Sequence, residues 1–283
     1  MKVNRVRRWT AARIAAFGFF LLLAVVTLFP LYQLVLASLR PSSEVFRSPL
    51  GLVVDPAKMT LANYRFMLFG MKSIYLYWYR NSILITALYT VVALFLTSWV
   101  GYGLAMYVFR GRNLIFTLVL FLMMIPLEIL MLPLYKLLIT IRLINTYAGI
   151  ILPFALAPIG IFFFRQYAVS LPRDFLDAGR IDGCTEYGLF TRIMAPLMKP
   201  AYGAMTILLA MREWNNFVWP LIVLRTNRMF TLPIGLAGLM TPYGNNYDLL
   251  FSGAVFAIIP IVILFLLNQR AFISGLTVGG IKG

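Results

Sequence analysis

The segment DAGRIDGCTEYGLFTRIMAP, residues 177–196, is charged and interrupted by glycine, and it lies between long apolar runs. Charged residues make up only 12% of the chain, yet seven of them fall between Arg173 and Arg192. Because a charged side chain is costly in hydrocarbon, this segment must lie in water. It therefore separates the apolar runs and limits how they can cross a membrane.

The apolar runs are long enough to cross a bilayer. The chain has 283 residues, of which 61% are hydrophobic, whereas about half is typical of soluble proteins. The sequence thus predicts an all-α polytopic membrane protein with one transmembrane domain. We predict six spans, at residues 14–37, 83–109, 114–138, 147–167, 201–224 and 249–267. The first run, at about 24 residues, exceeds the roughly 7–15 of a signal peptide, so we interpret it as a retained span.

Six spans place both termini on the same side of the membrane. Arginines are concentrated in the first 13 residues, and cytoplasmic segments are enriched in Lys and Arg. We therefore predict cytoplasmic termini, with a polar, glycine-rich tail at 268–283. The loops 38–80 and 225–248 are then extracytoplasmic. The aromatic-rich stretch 73–82 belongs to the first loop in this prediction, and the second, rich in Pro, Gly and Asn, is predicted to be ordered but non-helical.

Composition excludes several functional classes. The net charge of +16 could indicate a nucleic-acid-binding protein, but the basic residues are scattered over loops and the N-terminus, as is typical of topological anchors. One cysteine, Cys184, and no histidine exclude a disulfide framework, a Cys/His zinc site and a His-dependent catalytic triad. We expect neither an enzyme nor a bound metal.

The charged segment is patterned as two short helices. Its start at 171–174 has an early proline and acidic residues, which favour a helix N-terminus. Gly183 suits a turn with positive φ. Thr185 and Glu186 begin a second helix, which we predict to end at Pro196. Small residues at 178, 179 and 183 would admit the surface of another protein, although an ordinary amphipathic loop on the lipid surface is the alternative interpretation.

This pattern resembles the EAA signature of ABC importer permeases. That signature is an acidic residue, two small residues, three variable positions and a glycine, followed after nine positions by Ile, any residue, a small apolar residue and Pro. The matching residues here are Asp177, Ala178, Gly179, Gly183, Ile193 and Pro196. Two differences are mild, Asp in place of Glu at 177 and Gly in place of Ala at 179.

The resemblance extends over nearly the whole chain. The chain is similar to carbohydrate-uptake permeases of the maltose-transporter type, on the side of the second permease subunit. The similarity is strongest with arabino-oligosaccharide permeases of Gram-positive bacteria. The resemblance to the wider family is carried by SLRP at 38–41, NY at 63–64, MIPLE at 124–128, WNNFVWP at 214–220, TLPIG at 231–235 and GLTVGGIKG at 275–283. The resemblance to arabino-oligosaccharide permeases is carried by RIDGCTE at 180–186 and PYGNNYD at 242–248.

The resemblance implies a type I ABC importer fold with cytoplasmic coupling helices in a bacterial or archaeal cell membrane. It implies that the chain forms half of a heterodimer with a second permease subunit and works by alternating access. Two ATPase subunits, which bind ATP and Mg²⁺, would dock on residues 171–196 of this chain and on the equivalent segment of its partner. ATP would be hydrolysed on those subunits, because no phosphate-binding P-loop occurs in this chain. The implied ATPase-coupling residues are Asp177, Ala178, Gly179, Asp182, Gly183, Glu186, Ile193 and Pro196.

Two further contacts follow from the resemblance. An extracytoplasmic solute-binding protein would deliver the sugar to the outer loops, with contacts at Tyr243, Gly244, Asn245 and Asn246. The C-terminal tail would insert between the ATPase subunits. The residues implied there are Gly275, Gly279, Gly280, Lys282 and Gly283.

Polar residues also occur inside the predicted spans. Glu128, Arg212 and Glu213 indicate a polar lining near the translocation path, a contact to the other permease subunit, or an ion pair within the bundle. Adjacent Arg212 and Glu213 point in different directions on a helix. The mixed aromatic and amide residues nearby could bind a sugar or only pack two helices. The candidate substrate-path residues are Glu128, Trp214, Asn215, Asn216 and Trp219.

Another functional class fits a polytopic membrane protein. A secondary transporter or channel needs no ATPase and often has internal repeats and broken helices. The sequence contains no clear repeat. Co-purification with an ATPase would separate the two interpretations.

Overall fold

A computed structural model of the chain describes residues 11–47, 55–70, 73–241 and 244–277. These residues are mostly helical. The α-helices are α1 (Ala11–Ser38), α2 (Ser42–Arg47), α3 (Ala62–Arg65), α4 (Ile74–Met106), α5 (Arg112–Met124), α6 (Leu127–Thr140), α7 (Tyr147–Ile151), α8 (Pro158–Val169), α9 (Asp174–Ile181), α10 (Glu186–Gly188), α11 (Ala195–Leu197), α12 (Lys199–Trp214), α13 (Val218–Val223), α14 (Leu232–Ala237) and α15 (Tyr247–Thr277).

Shorter elements connect them. Turns of 3₁₀ helix are formed by Pro56–Lys58, Leu152–Phe154 and Asn227–Met229, and π-helical turns by Phe66–Gly70 and Leu189–Met194. Strands β1 (Met240–Thr241) and β2 (Gly244–Asn245) pair antiparallel, with Met240 opposite Asn245.

Six membrane spans can be built from the described helices. Helices α1, α4 and α15 are each long and apolar enough to cross a membrane alone. Three bent helix pairs pass the same test of length and composition and bring the count to at most six: α5 with α6, bent by 102°, Tyr147–Phe154 with α8, bent by 45°, and Glu186–Leu197, which includes the end of the charged segment, with α12, bent by 77°. The described helices thus supply three spans, or up to six if each bent pair is one span, and the predicted six is the upper end of this range. The bends within the third, fourth and fifth of these spans were not predicted.

Proline explains where two of the three bent pairs bend. Ile125, directly before Pro126, is extended at φ −79° and ψ 120°, and Ala157, before Pro158, has ψ 116°. A residue that precedes proline is sterically pushed out of the helical region, so each helix stops there. The third bend lies at Met198, two residues before Pro200.

Three predicted boundaries are also wrong. Helix α4 begins at Ile74, so the aromatic stretch belongs to the span rather than to the preceding loop. Its Tyr75 and Trp78 are buried and lie one helical turn apart, on the same face. Helix α15 continues to Thr277, so the predicted polar tail is helical for its first ten residues. The second outer loop contains α14 and a 3₁₀ turn and is not a non-helical projection.

The chain divides into two compact units. The first comprises Met1–Met71 and Leu239–Phe256, and the second Lys72–Gly238 and Ala257–Gly283. In the first unit the backbone N–H of Ser42 donates to Asp248 Oδ1 at 2.5 Å. The Ser38 and Tyr64 hydroxyls lie 2.6 Å apart. The first bond ties the start of α2 to the start of α15, and the second ties the end of α1 to α3.

The core of the second unit is the crossing of α4 and α8. A β-carbon added to Gly101 would lie 2.7 Å from Cβ of Phe164 and 2.9 Å from the backbone nitrogen of Arg165. A β-carbon on Gly160 would lie 2.9 Å from Oγ1 of Thr97. Glycine on each helix therefore allows the two backbones to approach closely, as small residues do in membrane helix pairs.

A buried amide organises the opposite end of α4. Asn81 is fully buried, and its Nδ2 donates to the carbonyl oxygens of Arg228 at 2.8 Å and Phe230 at 2.9 Å. Its Oδ1 accepts from the Tyr147 hydroxyl at 2.6 Å. The Ser82 hydroxyl oxygen accepts from the backbone N–H of Leu232 at 2.7 Å. The segment 227–232 is thus held against the span by satisfied buried hydrogen bonds.

Candidate functional site

The coupling segment, residues 171–196, has the predicted helix–turn–helix form. Its first helix, α9, carries Asp174 and Asp177 in its first turn, where carboxylates stabilise a helix N-terminus. Gly183 has φ +78° and open space around its α-carbon. The Thr185 hydroxyl oxygen accepts from the Gly188 N–H at 3.1 Å and so begins the second helix. The predicted turn and second helix start are confirmed.

The predicted end at Pro196 is wrong. A π-helical turn, Leu189–Met194, follows α10, and Pro196 lies within α11. Proline tolerates the first turn of a helix because its missing N–H would have no partner there. The chain turns only at Met198, by 77°, before α12 begins.

The two halves of the segment pack through Gly179. A β-carbon there would lie 2.6 Å from Cδ1 of Ile193 and from Cδ2 of Leu189. The expectation that Gly179 lets the surface of another protein approach is therefore wrong, because Ile193 and Leu189 of this chain already pack against it. Ala178 and Gly183 are exposed and keep their small surfaces free for contact.

A connected series of charged side chains crosses the Gly183 turn. Arg180 Nη1 lies 3.2 Å from Asp177 Oδ1, and Arg180 Nε donates to Glu186 Oε1 at 3.1 Å. The hydrogen bond from Arg180, followed by one from Tyr107, holds the pKa of the Glu186 carboxyl below its usual value of 4.5. Asp177 remains 66% exposed. Asp182 is exposed after the end of α9.

The second half of the segment contacts the end of α4. The Tyr107 hydroxyl, directly after α4, donates to Glu186. Burial, followed by this hydrogen bond, raises the pKa of Tyr107. The Phe190 ring lies 4.4 Å from that of Trp99 and 5.1 Å from that of Tyr102, centroid to centroid.

The segment exposes apolar surface that sequence reasoning did not single out. Ile181 is 87% exposed, Tyr187 is 73% exposed, and Phe175 is also exposed. Apolar residues in short helices usually indicate a core-facing side, so their residue type alone does not predict this exposure. The charge of the neighbouring residues was the available signal that this helix faces water. Large exposed apolar side chains on such a helix are typical of an interaction surface.

Both candidate tryptophans of the substrate path have packing partners. Trp219 is fully buried, donates its Nε1–H to the Gly149 carbonyl at 3.1 Å, and packs edge-on against Phe154. Buried Trp214 donates its Nε1–H to the Ala257 carbonyl at 3.1 Å. Of the two alternatives considered from the sequence, the geometry supports helix packing for both residues.

The polar residues beside them divide between the interior and the surface. Glu213 is buried and accepts from Asn216 Nδ2 at 3.1 Å, whereas Arg212 and Asn215 are exposed. The opposite directions expected for residues 212 and 213 are confirmed. Glu128 is exposed in the first turn of α6, immediately after the 102° bend.

A cavity of about 360 Å³ lies beside two of the helix bends. It is mostly apolar, and Arg212 is its charged lining residue. Among its other lining residues are Leu122, Ile125, Leu130, Phe154, Ala157 and Pro158. Non-helical backbone at membrane depth is tolerated where it is covered by protein or lines a water-filled cavity. The arrangement fits a position beside a translocation path.

The predicted binding-protein contacts lie at the β-hairpin. Gly244 and Asn245 form β2, and the backbone N–H of Asn246 donates to the Leu239 carbonyl at 3.0 Å. Tyr243 lies outside the described residues. Of the tail residues, Gly275 lies within α15, and Gly279, Gly280, Lys282 and Gly283 lie outside the described part of the chain. In that part, no cluster of three His, Cys, Asp or Glu could hold a metal ion.

Comparisons with known proteins agree on one family. Residues 93–278 match the family described as binding-protein-dependent transport system inner membrane component. The chain is 58% identical over 276 residues to the arabinooligosaccharides transport system permease protein AraQ of Bacillus subtilis (strain 168), covering 98% of both chains. It is 30% identical over 265 residues to the lactose transport system permease protein LacG of Rhizobium radiobacter, covering 92% of this chain and 93% of that one.

A solved structure shares the fold. It is a crystal structure of a bacterial ABC transporter involved in the import of the acidic polysaccharide alginate. The match has a TM-score of 0.80 and 23% sequence identity, and covers 93% of this chain and 98% of the other.

Proposed function

The chain belongs to the family of binding-protein-dependent transport system inner membrane components, and we propose that it is a permease subunit of an ABC importer for arabino-oligosaccharides. It is a multi-pass membrane protein and not itself an enzyme. The substrate class rests on one observation, the 58% identity to an arabinooligosaccharide permease along 98% of both chains. The relatives named for lactose and arabinooligosaccharides both support a sugar as cargo.

The coupling segment is the proposed docking site for an ATPase subunit that binds ATP and Mg²⁺. Asp177, 66% exposed, offers a carboxylate to a basic residue of the ATPase, and Asp182 offers a second. Exposed Ile181 and Tyr187 supply apolar contact area. Gly183, with positive φ and open space, makes the turn that presents both helices. A segment docked in this way would lie in the cytoplasm, and with six spans both termini would then lie there as well.

A second permease subunit would cover the exposed bend between α5 and α6. Met124 and Ile129 flank this bend with exposed apolar side chains. Lipid offers no hydrogen bonds to backbone groups released at a break, so protein or water must supply them. Alternating access between the two subunits would then open the cavity beside Arg212 to each side in turn.

The outer loops and the tail have proposed partners as well. An extracytoplasmic solute-binding protein would contact the hairpin at 243–246 and deliver the sugar there. The tail residues 275–283 would insert between the two ATPase subunits. Bent spans also occur in secondary transporters, so the bends do not distinguish a secondary transporter from an ABC importer. Family membership favours the importer.

Reconstitution tests the proposed function. The chain is co-expressed with its partner permease and ATPase, inserted into liposomes and supplied with the binding protein. We expect ATP hydrolysis to be stimulated by the binding protein loaded with arabinotriose and labelled arabinotriose to accumulate inside. Accumulation that proceeds without ATP would contradict an ABC importer. Stimulation by maltotriose but not arabinotriose would contradict the substrate class.

A further inference from the structure

Two kinds of contact join the coupling segment to the C-terminal end of α4. One is the hydrogen bond that the Tyr107 hydroxyl donates to the Glu186 carboxylate. The other is the packing of Phe190 against Trp99 and Tyr102 on the last turns of α4. Tyr107 is half-buried and immediately follows the helix, so it lies between the span and the segment.

The hydrogen bond is part of a longer connected series. Glu186 also accepts from Arg180, and Arg180 pairs with Asp177, the exposed acidic residue of α9. On the other side, the Tyr107 hydroxyl lies 3.2 Å from that of Tyr102, and the two rings meet edge-on at 90°. Polar contacts therefore run from the first coupling helix, across the Gly183 turn, to the membrane span.

The span at the end of this series is firmly packed. Gly101 and Gly160 allow α4 and α8 to approach until a β-carbon at either position would overlap the other helix. A displacement delivered to the end of α4 is therefore shared by α8 rather than absorbed by loose side chains. The cavity beside Arg212 is lined in part by residues at the start of α8, among them Pro158 and Ile159.

We infer that Tyr107 is a positioning residue that transmits movement of the coupling segment to α4, and so couples ATP hydrolysis to the opening of the translocation path. The inference rests on the proposed function. The Phe190 ring packing is apolar, and the burial of apolar surface is itself non-directional. A hydrogen bond to a carboxylate is short and directional. It fixes the register between Glu186 and the end of the span.

The test is the reconstituted complete transporter with Tyr107→Phe. This change keeps the ring that packs against Tyr102 and removes only the hydroxyl that binds Glu186. The measured quantity is the number of sugar molecules imported per ATP hydrolysed in the presence of the loaded binding protein. We expect this ratio to fall at least threefold, while the ATPase still co-purifies with the membrane complex.

Tyr147→Phe is the matched control. It also removes one hydroxyl that donates a hydrogen bond, the one to Asn81, but at the opposite end of α4. We expect it to lower the thermal stability of the complex and to leave the import ratio unchanged. The double variant Tyr107→Phe with Glu186→Gln should lose less than the sum of the losses of the two single variants, because both changes act on the bond between Tyr107 and Glu186. Glu186→Gln alone also weakens the ion pair with Arg180.

Each outcome has a distinct meaning. A wild-type complex that hydrolyses ATP without importing sugar would overturn the proposed function itself. A coupled wild-type complex together with a Tyr107→Phe variant of equal ratio would overturn only the role of Tyr107. Strictly additive losses in the double variant would show that Tyr107 and Glu186 act independently, which also contradicts the inference.

Discussion

Gly179 and Ile193 meet across the two halves of the coupling segment, where a β-carbon on Gly179 would lie 2.6 Å from Cδ1 of Ile193. The overlapping atom is the far end of a flexible side chain. Gly101, at the crossing of α4 and α8, would instead overlap Cβ of Phe164 and the backbone nitrogen of Arg165. The two glycines thus have similar distances to their neighbours but differ in what must move when a methyl group is added.

This difference predicts that two alanine substitutions change the free energy of unfolding by different amounts. Gly179→Ala should change the free energy of unfolding by less than about 1 kcal/mol, because Ala favours the helix by roughly that amount and the side-chain ends can shift. Gly101→Ala should destabilise by about 1–3 kcal/mol or more, since backbone must move. Thermal unfolding of the purified complex measures both. Equal stability of the two variants would contradict the described crossing of α4 and α8.

Gly183 is predicted to be needed for its backbone conformation rather than for space. A branched residue at φ +78° costs about 1–2 kcal/mol, whereas Asn tolerates this region better. Gly183→Val should therefore alter the turn and reduce sugar imported per ATP, and Gly183→Asn should retain most of it. The ratio is measured in liposomes. Normal coupling with Val would show that the turn is not required.

The Asn81 side chain is predicted to hold the N-terminal part of α4 against the segment 227–232. Asn81→Ala leaves two carbonyl groups and the Tyr147 hydroxyl without this partner, at a cost of about 2–4 kcal/mol. Asn113→Ala, at an exposed position on α5, is the control and should cost far less. Thermal unfolding of the two variants should differ by several degrees. Similar melting temperatures would contradict the buried network.

Sequence reasoning recovered the spans but not their bends. The Thr185 helix start and the Gly183 turn depend on neighbouring residues in the chain, and both were predicted correctly. Bends depend on packing, because Pro126 breaks a span whereas Pro133 and Pro260 lie inside continuous helices. A rule that ends a helix directly before each proline would have found two of the three bends and added false ones at Pro133 and Pro260.

For the candidate site too, the sequence predicted the local features and missed the long-range contacts. The spacing of the EAA signature located Asp177 and Gly183, because all of its residues lie in one continuous stretch of the sequence. The bond from Tyr107 to Glu186 joins residues 79 positions apart, and no local pattern indicates it. The burial of Trp219 likewise follows from its contact with Gly149, 70 positions away.

The bond between Tyr107 and Glu186 is predicted to persist across the physiological pH range. The pKa of the Glu186 carboxyl lies below its ordinary 4.5. The carboxylate that accepts from Tyr107 is therefore fully present above pH 4.5, and it is lost only as the pH falls through the lowered pKa. The pKa of Tyr107 is raised above its ordinary 10.0, so the hydroxyl keeps its proton until the pH rises past that value. The ratio of wild-type to Tyr107→Phe coupling should be constant from about pH 6 to 9. A ratio that changes within this range would show that another group controls the contact.

The central claim is that an ATPase docks on residues 171–196. Asp177 is 66% exposed, and its ion pair with Arg180 is a surface pair of the kind that contributes about 0–1 kcal/mol. The carboxylate is therefore available to a partner. Asp55, in the first outer loop, allows a control with the same charge change at a site far from the coupling segment in sequence.

Co-purification of the ATPase with the tagged permease complex tests this claim most directly. The account predicts that Asp177→Lys reduces the bound ATPase at least tenfold, while Asp55→Lys retains it at the wild-type level and both variants keep the partner permease. Retention of the ATPase by Asp177→Lys at the wild-type level would contradict docking through this segment.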